Sequence, residues 1–295
     1  MNDVFKNKFT KREQFSMKKA KFIFSASLLI LLAGIIATPV WAYQEIEVKN
    51  GGTLQGKAKL AGQIPQPRVY HLVLFPNLDM CAEVDTDENM NRVLYDFITD
   101  KRRGLKDVVI SLEKVDSGKP FPEKPINILS ENCKFTPDVN VLQQGGTFFV
   151  DNQDAVMHNS QVYQKEQGKI LVNIPIPAEE ISKGQVHFKK RYKIFQMICG
   201  MHEFMQTWGY RVQNPYYFKT SVDGNYKIEN IPPGEYKVNA WHFLMKIQSR
   251  NIKISEGETV TLDFEFDGNK VIRPFYETIK SGRIKKDARV PGSIH

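Results

Sequence analysis

Short apolar runs separated by turn residues dominate this chain after residue 42. Hydrophobic and polar residues alternate within most runs, and Gly, Pro, Asn or Asp separates them, a pattern typical of strands in sandwiches and barrels. No helical stripe of normal length accompanies them, although residues 85–97 could hold a turn or two of helix. We therefore predict an all-β protein with strands at Thr53–Leu60, Asp107–Leu112, Asp138–Leu142, Thr147–Val150, Lys169–Ile174, Val186–Phe188, Tyr192–Ile198, Thr207–Val212, Tyr226–Ile228, Tyr236–Trp241, Ile252–Ile254 and Thr259–Phe266.

Residues 1–42 have the features of a secretory signal peptide. Three lysines precede an apolar run over residues 22–37, and Val40 and Ala42 occupy the two positions that signal peptidase reads. Cleavage is therefore expected after Ala42. An uncleaved anchor is the alternative, but the run is shorter than the about 20 residues of a usual membrane span. We expect a periplasmic or otherwise exported protein with no stable membrane span after cleavage.

The net charge of +8 belongs mainly to the two ends of the chain. Without residues 1–42 it falls to +3, because that segment contains seven Lys/Arg and two Asp/Glu. Residues 269–295 contribute +5, which leaves the body slightly acidic. Because export separates the chain from nucleic acid, we expect no nucleic-acid partner and interpret this basic C-terminal tail as a solvated segment. Docking of the tail to an acidic partner or a membrane surface is the alternative.

Side chains that bind soft metals recur at three-residue intervals in Cys199-Gly-Met-His202-Glu-Phe-Met205, and another imidazole occurs upstream at His158. Two His, one Cys and a weak Met form the ligand set of a blue-copper electron-transfer centre. Each residue alone has a simpler explanation, since a single Cys, His or Met is more often a core or surface residue. The four residues together, in an exported chain, favour copper.

The same residues carry a resemblance to the cupredoxin family. The similar segments are residues 137–145, then Asn152-Gln-Asp-Ala-Val-Met-His158-Asn159, then the Cys199–Met205 loop, whose Cys-x2-His-x2-Met spacing is most similar to amicyanin. The resemblance covers roughly 90 residues, enough for one ordinary sandwich domain, and implies an eight-stranded sandwich holding one type 1 copper. It implies a trigonal set of His158, Cys199 and His202 with Met205 as the axial ligand. Asn159 would tie the two ligand segments together, and Phe204 and Trp208 would form the apolar wall.

The segments on either side resemble a second family. Residues 51–65 contain a Gly-rich strand and turn, residues 104–112 contain a second strand, and residues 219–238 contain an Asp-Gly hairpin and a Pro-Pro-Gly-Glu-Tyr turn. This is the order found in carboxypeptidase regulatory-like modules, which are small prealbumin-like sandwiches. Here about 100 residues separate the second part from the third, more than a connecting loop needs.

Together the resemblances predict a cupredoxin-like Greek-key sandwich inserted into a prealbumin-like β-sandwich, because a loop accepts a guest domain whose termini lie close together. The alternative is a row of separate domains, which would leave residues 215–266 as a four-strand remnant with a marginal core. The predicted boundaries are 1–42 for the signal peptide, 43–117 and 214–268 for the two parts of the outer sandwich, 118–213 for the copper domain and 269–295 for the tail.

Cys81 and Cys133 remain once Cys199 is assigned to the metal set. They could pair as a disulfide in an oxidising compartment, but the sequence supplies no geometry for the pair. Cys81 lies within residues 63–103, which fit neither family.

The resemblances imply transfer of single electrons between periplasmic redox partners, such as a c-type cytochrome or a copper- or haem-containing oxidoreductase. The alternative is a non-redox protein that binds or delivers copper, or a β-sandwich scaffold. No catalytic constellation is found. His202-Glu203-Phe-Met-Gln206 lacks the second His of a zinc-peptidase motif, and the chain has no His-x-His pair, haem-attachment motif or nucleotide-binding loop.

Overall fold

A computed structural model describes residues 43–122, 125–143, 145–165, 169–188 and 192–272. The predicted signal peptide and residues 273–295 of the tail lie outside this range. The strands are β1 (Gln44–Glu45), β2 (Gly52–Ala61), β3 (Arg68–His71), β4 (Asn91–Leu94), β5 (Val109–Glu113), β6 (Ser117–Gly118), β7 (Ile126–Glu131), β8 (Lys134–Thr136), β9 (Val139–Gln143), β10 (Thr147–Asn152), β11 (His158–Gln164), β12 (Lys169–Ile176), β13 (Ile181–Gln185), β14 (Ile194–Cys199), β15 (Gln206–Val212), β16 (Tyr217–Lys219), β17 (Asn225–Ile231), β18 (Gly234–Trp241), β19 (Gln248–Ile254), β20 (Thr259–Thr261) and β21 (Phe264–Asp267).

Helical structure within the described residues is confined to a 3₁₀ turn at Leu72–Leu74 and a single α-helical turn, α1, at Leu78–Cys81. The prediction of an all-β sandwich fold is confirmed. Among the same residues, no helix has the length and apolar composition that a membrane span needs.

Two sheets are built from the early and late parts of the chain. One has the order β16-β5-β18-β19, and the other has the order β17-β2-β20 with β21 also paired to β2. Alternate residues of their strands point into a shared core that contains Leu54, Ile110 and Val238. Strands that precede residue 118 therefore share sheets with strands that follow residue 213.

Two further sheets come from the middle of the chain, with orders β13-β10-β7-β8 and β12-β11-β14-β15-β9. Their common core contains Val150, Val162 and Met197. The second of these sheets is also covered on its outer side, where Trp208 and Tyr210 of β15 meet Trp241 and Phe243. Because both faces are covered, every residue of β14 and β15 is buried.

Close packing within the middle sheets requires a glycine in β15. The Phe195 ring of β14 lies against the backbone of Gly209, where an added Cβ would be 1.8 Å from the ring. Any larger side chain would therefore push β14 and β15 apart.

Several local predictions were incomplete or wrong, and strands β3, β7, β8, β13 and β16 were not predicted. The strand that begins at His158 was missed, because its inward positions include the polar residues Ser160 and Gln164. Residues 186–188 are not a strand, since Val186 exchanges backbone hydrogen bonds with a loop at residues 145–146. Residues 85–97 contain β4 instead of helix.

Local backbone geometry explains the absence of helix in residues 85–97. Asp85 and Met90 have positive φ angles of 47° and 59°, which a right-handed helix cannot accommodate. The Asp87 carboxylate accepts the backbone N–H groups of Asn89 and Asn91, which favours a turn.

Replacement of Trp208 should test the packing between β15 and the residues that follow β18. Trp208→Ala removes a fully buried side chain stacked at 5.5 Å on Phe243. We expect the free energy of unfolding to fall by about 3–5 kcal/mol in a denaturant titration. Ile181→Ala, at a side chain that is 65% exposed, is the control and should change it by less than about 0.5 kcal/mol. If Trp208→Ala changed the free energy of unfolding as little as the control does, the packing of Trp208 on Phe243 would not stabilise the fold.

Candidate metal centre

Three potential metal donors converge at one end of the middle sandwich. His158 begins β11, Cys199 ends β14, and His202 lies in the loop that joins β14 to β15. Antiparallel pairing of β11 with β14 places Ser160 opposite Cys199, so that His158 lies one inward position beyond the cysteine. Cys199 and His202, which follow His158 by 41 and 44 residues in the sequence, are thereby brought next to it.

The donor atoms form a compact triangle. The Nδ1 atoms of His158 and His202 are 3.2 Å apart, and each is 3.7 Å from Sγ of Cys199. A triangle of these dimensions has a central point about 2.1 Å from each corner, close to the roughly 2.0–2.3 Å of nitrogen and sulfur bonds to a divalent metal. The donors therefore fit one ion with trigonal N2S ligation.

The ligand loop is closed by its own backbone. Cys199 N–H donates to the Met205 carbonyl at 3.0 Å, and Met205 N–H donates to the His202 carbonyl at 2.8 Å. Met205, the fourth predicted ligand, is thus held in the loop by its main chain and buried in the apolar cluster that contains Cys199.

Asn159 joins the two ligand segments through its main chain. Its N–H donates to Sγ of Cys199 at 3.4 Å, and its carbonyl accepts Gly200 N–H at 2.8 Å. A hydrogen bond to a ligand sulfur is one of the ways a protein adjusts the properties of a thiolate–metal centre. The joining role predicted for Asn159 is therefore supplied by its backbone atoms.

The sequence prediction missed Asp154. Its carboxylate accepts a hydrogen bond from Nε2 of His158 at 2.7 Å. The backbone N–H groups of Asn132 and Cys133 hold the carboxylate at 2.6 and 3.0 Å. A carboxylate on the far nitrogen fixes the ring and leaves Nδ1 to face the other donors. The sequence signal was an acidic residue four positions before His158. That feature is too common to identify the hydrogen-bond partner of a metal ligand by itself.

The electrostatics of the metal-free site favour a thiolate beside an imidazolium. Burial by itself would lower the pKa of His158, but the Asp154 carboxylate and the Cys199 sulfur outweigh it and raise the pKa to about 9. Burial would raise the pKa of Cys199, but hydrogen bonds from His158 and His202 outweigh it and lower the pKa to about 6. A thiolate is the form of cysteine that binds metals.

Part of residues 63–103, the stretch that resembles neither family, covers the remaining side of the site. Nε2 of His202 donates to the carbonyl of Pro76 at 3.1 Å. The Phe75 ring meets Phe204 edge-on at 5.1 Å, and Phe204 lies 5.6 Å from the His202 ring. With this cover in place, His158, Cys199 and His202 are all 0% exposed.

A disulfide and a buried arginine fasten the covering segment. Cys81 and Cys133 are joined by a disulfide, which links α1 to the turn between β7 and β8. The Arg92 guanidinium donates to the carbonyls of Cys81, Cys133 and Asn132 and lies 4.9 Å from the Phe204 ring centre. Residues 63–103 thus contribute the roof of the site, a role that neither family resemblance suggested.

Trp208 and His242 are buried core side chains and not part of the donor set. Trp208 does not form the wall of the site, because β15 turns it to the opposite face of the sheet, against Phe243. His242 is a fully buried core residue stacked on Phe97, with Nε2 donating to the Asp96 carbonyl. Burial lowers the pKa of His242 to about 3, so the ring is neutral.

Solved structures similar to this chain include a copper-containing enzyme, a purple cupredoxin and amicyanin. A Cu-containing nitrite reductase from Thermus scotoductus SA-01 is 16% identical over 32% of this chain, with a TM-score of 0.27, and the match spans only 24% of the reductase. A purple cupredoxin from Nitrosopumilus maritimus (17%, TM-score 0.25) and amicyanin from Paracoccus versutus (15%, TM-score 0.26) match 30% and 35% of this chain and 99% and 97% of their own lengths. These scores are low, so the assignment of ligands depends on the donor geometry.

Sequence comparisons add one partial match. Residues 198–262, from the end of β14 through β20, match the family described as polysaccharide lyase family 4, domain II. No curated protein matches the chain. The resemblance of the outer strands to carboxypeptidase regulatory-like modules stays a prediction.

Replacement of Asp154 should show how strongly it acts on His158 in the metal-free protein. We expect Asp154→Asn to shift the pKa of His158 from about 9 toward the ordinary 6.5, followed by NMR titration of the imidazole signals. Because the native pKa is raised, the stability it contributes is full below about pH 6.5 and is lost as the pH rises through about 9. That pH dependence should shrink in the variant. Glu265→Gln, at an exposed strand position, is the control, and a variant pKa that stays near 9 would exclude this role.

Removal of the disulfide should loosen the roof. We expect Cys81→Ala/Cys133→Ala to lower the free energy of unfolding by about 2–4 kcal/mol, because a disulfide restricts the unfolded chain. Amide hydrogen exchange should quicken in residues 72–82 more than in the outer sheets. Chemical reduction of the unmodified protein is the matched comparison. Equal quickening throughout the chain would show that the disulfide stabilises the molecule without fastening this segment in particular.

Proposed function

We propose that this protein is an exported type 1 copper protein that transfers single electrons between periplasmic redox proteins. The observation that carries the proposal is the triangle of two imidazole nitrogens and one thiolate, with a backbone N–H directed at the sulfur. Copper alternates between Cu(I), which prefers soft sulfur ligands, and Cu(II), which accepts imidazole. This donor set suits both states.

The chain would hold copper through His158, Cys199 and His202, with Met205 as a weaker fourth ligand. Copper bound there would supply one-electron chemistry. Each imidazole is held by a hydrogen bond at its Nε2 atom, His158 by Asp154 and His202 by the Pro76 carbonyl. Because these contacts and the closed loop restrain the donors, a change of charge at the centre would require little movement.

Burial favours electron transfer over delivery of the metal. None of the three donors has exposed surface, and the disulfide fastens the segment that covers them. Electrons can leave such a site through bonded groups, whereas a copper ion would have to displace the roof. The same closure leaves no open position for a substrate, which supports a carrier and argues against an enzyme. The alternative role in copper storage or delivery predicts exchange of the ion with external chelators.

We further propose that residues 118–213 form the copper domain and that residues 43–117 and 214–268 form one outer sandwich around it. Support comes from the sheets, in which β2 and β5 pair with β17 and β18 while β7 to β15 pair among themselves. The outer sandwich would position the copper domain, since β5 and β18 pack against β15.

The visible spectrum of the copper-loaded protein tests the proposal. We expect Cu(II) to produce an intense thiolate-to-copper band, with one copper per chain and reversible one-electron reduction in voltammetry. Cys199→Ser should remove the band, because a hydroxyl does not replace the thiolate. Met245→Leu, in the outer core, changes a buried Met far from the loop and should leave the band unchanged.

A colourless loaded protein, or an intense band that persists in Cys199→Ser, would refute the type 1 assignment. A normal band with irreversible reduction, together with rapid loss of copper to a chelator, would instead support storage or delivery.

A further inference from the structure

The segment that roofs the metal centre also has the composition of an interaction surface. We propose that residues 72–90, here called the cap, form the docking surface for a redox protein whose cofactor edge is ringed by lysines and arginines. The inference rests on the proposed electron-transfer function. It names where the partner binds and what kind of surface the partner must present.

The cap provides a place where electrons can enter. Because His202 is buried and its Nε2 is bonded to the Pro76 carbonyl, no partner can touch the imidazole directly. Pro76 itself is exposed. One bonded route from the ligand set to the surface therefore runs from the His202 ring through a single hydrogen bond to the exposed Pro76 of the cap.

The two sides of the cap have different characters. Leu72 is buried in the same cluster as Cys199, and Phe75 packs on Phe204. The 3₁₀ turn directs the next two residues outward, so that Val73 and Leu74 are 64% and 60% exposed. Adjacent exposed aliphatic side chains beside a functional site are typical of surfaces that bind another protein.

Charge determines which partner the cap fits. No Lys or Arg lies between Arg68 and Arg92, and the cap contains five acidic residues: Asp79, Glu83, Asp85, Asp87 and Glu88. Asp85 is paired with Lys134, and Asp87 accepts backbone N–H groups of its own turn. Asp79, Glu83 and Glu88 remain exposed. An apolar patch with an acidic rim complements an apolar patch with a basic rim.

The same charges argue against a second copy of this chain as the occupant. A two-fold dimer through the cap would bring identical surfaces together, with acidic rim facing acidic rim. Like charges placed together cost free energy, whereas a basic partner gains from each pair and is drawn to the surface over a distance.

The cap is organised before any partner binds. The disulfide, the Arg92 contacts and the Phe75–Phe204 contact fasten it to the sandwich. A docking surface that is already ordered loses less entropy on binding. In the complex, one electron would leave the partner's ferrous haem, which becomes ferric, and reduce Cu(II) to Cu(I) with no bond made or broken.

Binding to a lysine-ringed c-type cytochrome tests the surface without depending on copper. The full mature chain is used without metal, and the dissociation constant is measured by calorimetry at low and high salt. We expect binding that weakens as salt rises, because exposed charges are screened. Asp79→Lys/Glu83→Lys/Glu88→Lys should weaken binding at least about tenfold. Val73→Ser/Leu74→Ser should weaken it with the salt dependence retained.

Matched controls separate the cap from net charge and from general surface effects. Glu235→Lys/Glu256→Lys/Glu265→Lys makes the same change of charge at exposed positions of β18, β21 and the turn between β19 and β20, and should change the dissociation constant less than about twofold. Ile181→Ser removes an aliphatic side chain as exposed as Val73 and should have no effect.

The outcomes are distinct. Equal losses in the cap and control variants, or no binding at low salt, would overturn the proposal. Dimerisation that Val73→Ser/Leu74→Ser abolishes, without cytochrome binding, would assign the cap to a second copy and would also overturn it. With copper loaded, the electron-transfer rate should fall in parallel with binding. If the visible band is absent but the cap variants still lose binding, the copper assignment fails and the docking surface stands.

Discussion

The antiparallel pairing of β11 with β14 is the constraint on which the metal centre depends. It places Ser160 opposite Cys199 and so brings His158, 41 residues earlier, next to the thiolate. A shift of one residue would turn His158 to the other face of the sheet, because side chains alternate along a strand. Register is protected by the burial of both faces of β14, where a slip would move Met197 and Phe195 out of the inner core. Strands β5 and β18 contribute to this protection, because their residues pack on the far face of the sheet.

Those parts of the site that are local in sequence could be predicted, and those that depend on folding could not. The spacing of Cys199, His202 and Met205 defines a loop whose geometry follows from the chain itself, and His158 was found because residues 152–159 resemble the upstream ligand segment of the cupredoxin family. Asp154 and Pro76 were missed for different reasons. Asp154 is close to His158 in sequence but carries no distinctive motif, whereas Pro76 acts through a backbone carbonyl that any residue supplies.

Prediction of the fold shows the same division. Strands with regular alternation, such as β2, β15 and β18, were recognised close to their observed bounds. The strand β11 was missed because its inward positions carry functional and polar side chains, which break the hydrophobic pattern that identifies strands. Residues 63–103 were left unassigned because the partners that order them are distant: Cys81 is fixed by Cys133, and Arg68 by Asp96 and Gln206. Contacts of this kind leave no periodic signal.

The hydrogen bonds around the donors explain why the site is open to a metal and to little else. A buried polar atom needs a partner, and each histidine has one on the side away from the triangle: the Asp154 carboxylate for His158 and the Pro76 carbonyl for His202. These bonds occupy both Nε2 atoms and turn both Nδ1 atoms toward Cys199. Without an ion, the three donor atoms contact one another, with the Asn159 N–H added at the sulfur, and this arrangement puts a thiolate and a shared proton into an apolar core. A single cation replaces that arrangement and satisfies all three donors at once, so the fold itself supplies part of the affinity for metal.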